Sequence, residues 1–123
     1  MTDKAGGTMQ DLERRRSEAL KTSELAVLQH PEIYREVRKL TTYILHNTVD
    51  IGEYFPVACK LANLLKTMSH AGKGTIFASF YKSIDPKQCG EARYLRFECR
   101  DLMEHFRDLE EWRRNTRCLR VVK

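Results

Sequence analysis

The sequence predicts an all-α protein of about five helices, and three observations carry that reading. Apolar residues recur at three-four spacing through most of the chain. Strand-like character is confined to a short stretch at the end, Cys118-Leu119-Arg120-Val121-Val122. Breaks such as His30-Pro31, Ser69–Gly74 and Asp85-Pro86 fall between the periodic segments. At 123 residues the chain supports one domain, and a compact domain of that size buries roughly two-thirds of its unfolded surface. With 41% hydrophobic and 32% charged residues, composition argues against full disorder.

Residues 1–8 are polar and small and are expected to be disordered. A first helix is expected over 9–28, where Leu12, Leu20, Leu25, Val27 and Leu28 keep a looser period. His30-Pro31 ends it and starts the next, because proline is tolerated at a first helical position. The second helix, about 31–48, places Ile33, Val37, Leu40, Tyr43 and Ile44 on one face. After the short acidic turn Val49-Asp50-Ile51-Gly52, a third helix is expected over 53–68. Its face is Tyr54, Val57, Ala58, Leu61, Leu64, Leu65 and Met68, with Pro56 inside the first turn, where a missing N–H costs little. Together 31–68 read as a HEAT-like antiparallel helical hairpin, a repeat unit of the kind that presents a surface to a partner.

Ser69-His70-Ala71-Gly72-Lys73-Gly74 is a stop. A shorter helix over 75–84 gathers Ile76, Phe77, Phe80, Tyr81 and Ile84, and Asp85-Pro86 closes it. A long C-terminal helix follows over 89–115, so the helical domain spans 9–116 and residues 117–123 form a basic, loose tail.

That last helix carries two patterns. Leu95, Cys99, Leu102, Phe106 and Leu109 alternate by four and three, a narrow seam with a 3.5-residue period. Either a partner helix, a second copy in a homodimer, or the domain's own helices could cover it. Away from the seam Arg93, Arg100, Arg107 and Arg114 recur every seven residues, flanked by Arg96 and continued by Arg113, Arg117 and Arg120. The net charge of +5 is concentrated there: residues 113–123 hold five basic residues and no acid. Arginine forks suit phosphate through bidentate hydrogen bonds, so this ridge points to RNA or an acidic partner. Glu104 is placed to reach Arg100 or Arg107, and Glu110 to reach Arg114, which would neutralise part of the ridge. That leaves 113–120 as its least compensated part, and aromatic residues do not interleave with it as a single-strand stacking platform requires.

Val49-Asp50, Tyr54-Phe55 and the run Val57-Ala58-Cys59-Lys60-Leu61-Ala62-Asn63-Leu64 carry a family resemblance. The hairpin at 33–66 resembles the first helical repeat of the middle domain of eukaryotic initiation factor 4G. Poly(A)-binding-protein-interacting proteins and other cap-complex adaptors belong to the same group. Gly74-Thr75-Ile76-Phe77, leading into Phe80-Tyr81, resembles the family's following helix, so the likeness covers about 33–82. It departs where Ile84-Asp85-Pro86 interrupts a helix that the family continues into a leucine-rich stretch. The family's domain also has several more repeats than 123 residues hold, so the resemblance implies a fragment, a short isoform or a minimal relative. The matching positions read as packing positions, and no functional residue is carried across.

Other chemistry is sparse. Gly72-Lys73-Gly74-Thr75 lacks the GxxxxGK[ST] spacing and preceding strand of a phosphate loop and reads as an interhelix connection. His30, His46, His70 and His105 make no metal-ligand spacing with a cysteine or each other, and His105 reads as a rim residue. Cys59, Cys99 and Cys118 read as small buried groups, whereas Cys89 at a helix start could have a lowered thiol pKa. Without CxxC pairs, a signal core or a membrane-length apolar run, the expected setting is reducing, cytoplasmic or nuclear. No metal or cofactor is expected. Neither paired carboxylates nor a nucleophile–base set can be assembled, so the expected protein is not an enzyme. The reading is a helical adaptor in translation or mRNA handling, binding protein partners through helix faces and RNA through its arginines. The alternative is a small helical regulator, viral or signalling, acting by dimerisation or by capping a partner.

Overall fold

The computed structural model describes the backbone of residues 8–47, 51–89 and 92–122, with side chains over 8–47, 55–87 and 93–116. Its elements are α1 (Met9–Gln29), α2 (Pro31–His46), α3 (Ile51–Ala71), α4 (Ile76–Ile84), the single turn α5 (Pro86–Cys89) and α6 (Ala92–Val122). Among the described residues there is no strand, and the protein is all-α. No described helix is long and apolar enough to cross a membrane.

Local chemistry explains most of the boundaries. Thr8 opens α1 with a capping box: its hydroxyl accepts from the Asp11 N–H at 3.2 Å, and Asp11 Oδ2 accepts from the Thr8 N–H at 3.4 Å. Thr8 therefore belongs to the folded domain, while the expectation for residues 1–7 lies outside the described residues. One residue, His30, joins α1 to α2; its N–H donates to the Ala26 carbonyl and its own carbonyl accepts from Tyr34 N–H. The loose period of α1 has a physical reason. It buries Leu20, Ser23, Ala26 and Val27, and the small members let it approach its neighbours closely. Leu12, Leu25 and Leu28 stay exposed.

The hairpin expected over 31–68 is present as α2 packed on α3, with its turn (48–50) outside the described residues. Helix α3 starts two residues earlier and ends three later than expected. Pro56 is consequently the sixth residue of α3 rather than part of its first turn. Its missing N–H leaves the carbonyl four residues back without an intrahelical donor. Tyr43, expected on the apolar face of α2, is exposed.

Helix α3 lies between α2 and α4, and α6 runs across α1, α2 and α4. The shared core contains Val37, Ile44, Ala58, Leu61, Leu65, Met68, Phe77 and Ile84, and α6 closes it with Leu95, Leu102, Phe106 and Leu109. Full burial of each such large side chain stabilises the fold by roughly 1.5–3 kcal/mol. The tail expected to be loose and β-favouring is instead part of α6, which continues to Val122. No proline or glycine lies between Glu91 and Lys123 to stop it, and the valine pair lowers helix propensity by less than about 1 kcal/mol per residue.

Candidate nucleic-acid interface on the last helix

The two patterns of the last helix separate cleanly in three dimensions. Leu95, Cys99, Leu102, Phe106 and Leu109 are all fully buried in the chain's own core. The Tyr34 ring meets Phe106 edge-on at 5.3 Å between centroids, and Phe77 lies 6.2 Å from it. The strip is thus occupied by α2 and α4, so of the three covers the sequence allowed it is the domain's own helices that pack on it.

Arg113 follows Leu109 by four residues and so continues the buried strip, not the ridge. Its Nε lies 3.0 Å from Glu24 Oε1 on α1, with both side chains largely buried. The N–H is not aligned for a hydrogen bond, so the contact is an ion pair by proximity. Glu110 likewise turns away from Arg114. It accepts from the Tyr34 hydroxyl at 3.2 Å and from Arg38, joining α6 to α2. Burial pushes the Tyr34 hydroxyl up to about 12; Arg38 opposes the shift, and Glu110 adds to it.

His105 is 5% exposed, not a rim residue. Its ring packs 5.5 Å from Phe77 and 6.0 Å from Phe80, and Nε2 has no hydrogen-bond partner among the described residues. Burial holds its pKa at about 4, partly offset by Asp108. It borders a cleft of ≈ 230 Å³ shared with Arg16, Asp101, Glu104 and Asp108.

The outer face of α6 is where the predicted cations collect. Arg93, Arg96, Arg100, Arg107 and Arg114 are exposed. Among the described residues none of the five makes an ion pair. Arg96 Nη2 donates to the Leu45 carbonyl at 3.1 Å, tying this face to the end of α2. The side chains of Arg117 and Arg120 lie outside the described residues. At about 100° per residue, Glu104 and Glu111 share the face with Arg107 and Arg114. Residues 101–116 therefore present mixed charge, and the uncompensated part is the start of the helix.

Two residues belong to this face that the sequence reading missed. Phe97 is 58% exposed and Tyr94 is 47% exposed. They alternate with the arginines in Arg93-Tyr94-Leu95-Arg96-Phe97, and the Arg100 guanidinium sits 5.5 Å from the Phe97 ring centroid. The signal lay in the sequence, since only Leu95 and Cys99 in this stretch keep the period of the seam. The expectation that no aromatic residue interleaves with the ridge is therefore corrected.

The remaining candidates are structural. Thr75 is buried, and its hydroxyl accepts from the Ala78 N–H as the cap of α4. Gly72–Thr75 is the connection between α3 and α4. Cys99 is buried and Cys59 half-buried, while the side chains of Cys89 and Cys118 lie outside the described residues. Among the described residues no three His, Cys, Asp or Glu side chains are grouped to hold a metal ion. In comparisons with known proteins, no family model, no curated protein and no solved structure matches the chain.

Proposed function

We propose that the chain is a non-enzymatic helical adaptor in translation or mRNA handling. It contacts RNA through the outer face of α6 and protein partners through other helix faces. One observation carries the RNA part. Arg93, Arg96, Arg100, Arg107 and Arg114 are held exposed along one side of a helix whose other side is the domain core. The helix fixes the spacing of the row, while each exposed arginine still gives up rotamer freedom when it meets a phosphate. Its mechanism is scaffolding without turnover. The translation setting rests on the resemblance of residues 33–82 to the initiation-factor middle domain.

Capture of tagged full-length chain from a eukaryotic lysate, divided into RNase-treated and untreated halves, tests the adaptor role by mass spectrometry. Translation or RNA-processing proteins that persist after RNase are the expected result. Loss of every specific partner with the RNA would reduce the role to RNA binding alone, and recovery of no RNA-linked protein in either half would reject it.

A second reading, a small regulator that caps a partner, is favoured by the exposed Met9, Leu12, Leu25 and Leu28 of α1. Dimerisation through residues 95–109 would require opening the core, so this reading is confined to surfaces outside the strip.

A further inference from the structure

We propose that residues 93–100 of α6 form a stacking site for unpaired nucleotides, so that the RNA recognised is single-stranded. The proposal rests on the RNA-contact reading above and specifies its ligand class. Phe97 projects from the side of α6 opposite the core and leaves over half its surface in water. Arg93 lies one turn before it and Arg100 three residues after, so a cation stands at each end of the ring's position along the helix. Arg100 already lies 5.5 Å from the ring centroid. That contact is within cation–π range, so the ring and a neighbouring cation share this face. Tyr94 extends the apolar surface around the helix from Arg93 and is half exposed.

This combination selects against other occupants. A purely apolar protein surface seated on Phe97 would have to desolvate Arg93 and Arg100, which carry no ion-pair partner among the described residues. A duplex RNA offers phosphates, but its bases are stacked inside and present no face to an aromatic ring. An unpaired strand supplies both parts, with phosphates for the arginine forks and exposed base faces for Phe97 and Tyr94. Glu98 falls about 100° around the helix from Phe97, on its flank, whereas Asp101 lies one turn after Phe97 on the same face, where one carboxylate stands against Arg93, Arg96 and Arg100. The local charge that a strand meets is therefore positive.

Fluorescence polarisation of the full chain with a labelled 12-nucleotide unpaired RNA, and with the same sequence closed into a hairpin stem, tests this. The unpaired RNA is expected to bind about tenfold more tightly than the stem. Phe97→Ala is expected to lose about tenfold in affinity for the unpaired strand while leaving stem binding unchanged. Phe97→Trp is expected to retain single-strand affinity. Because Phe97 lies outside the core, unchanged circular dichroism serves as the folding control. Equal affinity for strand and stem, or an unchanged affinity in Phe97→Ala, overturns the stacking site while leaving RNA contact intact. Binding to neither RNA overturns the stacking site together with the RNA-contact reading. A poly-glutamate peptide that binds more tightly than the unpaired RNA would replace RNA with an acidic protein as the ligand.

Discussion

His105 and Phe97 occupy opposite situations on one helix, and each is decided by what the neighbouring elements supply. Nothing in the spacing of His105 announces burial; it takes Phe77 and Phe80 of α4 to remove its ring from water. In the folded protein the ring therefore stays neutral down to about pH 4, whereas in the unfolded chain it takes up a proton near pH 6.5. Since the unfolded state binds more protons between those values, the stability this group supports is complete above pH 6.5. It is lost as pH falls toward 4, by up to about 3 kcal/mol. Thermal melts from pH 7 to pH 4 are expected to show this decline, and His105→Phe, which keeps the aromatic packing, should flatten it. An identical acid limb in the variant would assign the decline to the carboxylates instead. Phe97 was legible by contrast, because it falls outside the seam and beside three arginines. The reading by spacing nonetheless passed over it, and its exposure among the arginines showed its place on this face.

At the scale of elements, the sequence located five of the six helices, and the errors cluster where a connection is settled by tertiary contact. The α3–α4 connection shows why. A Cβ on Gly72 would stand 2.5 Å from Thr75 Cγ2 and 3.3 Å from Ala26 Cβ, so this glycine is required chiefly by close approach of the Thr75 cap, with α1 also near. Gly74 is required instead by its φ of +73°, with open space around it. Gly72→Ala is therefore expected to cost about 1–3 kcal/mol in urea unfolding through displacement of the α4 cap. Gly74→Ala should cost about 1–2 kcal/mol through backbone strain alone. A double variant should add nearly the two values if the mechanisms are independent, and a neutral Gly72→Ala would show that Thr75 can move without cost. The end of α6 was misread because β-favouring residues were weighed without the long helix that precedes them. Arg113 was placed on the ridge because its type was weighed before its position, which continues the buried strip to Glu24.

For the whole molecule, α6 is both the closing element of the core and the carrier of the candidate interface. The periodicity revealed the seam but could not say who covers it, because a strip of Leu95, Cys99, Leu102, Phe106 and Leu109 suits a partner as well as its own domain. In the fold it is closed by α2 and α4, and Leu102 is fully buried. Leu102→Ala should cost about 2–5 kcal/mol, and Leu102→Asp should unfold the chain rather than yield a folded, dissociated subunit. Size-exclusion chromatography with circular dichroism distinguishes the two outcomes, and a folded Leu102→Asp monomer would contradict the closed core. With its inner side fixed this way, the helix offers only its outer side for binding. The most direct measurement is the affinity of unpaired RNA as a function of salt, for the native chain and for the combined Arg93→Glu, Arg100→Glu and Arg107→Glu variant. If the outer face of α6 binds RNA, the variant loses at least about tenfold in affinity at low salt, and its log–log salt slope flattens by about 2, near 0.7 per lost phosphate contact. The same affinity and slope in both proteins would contradict RNA binding by this face.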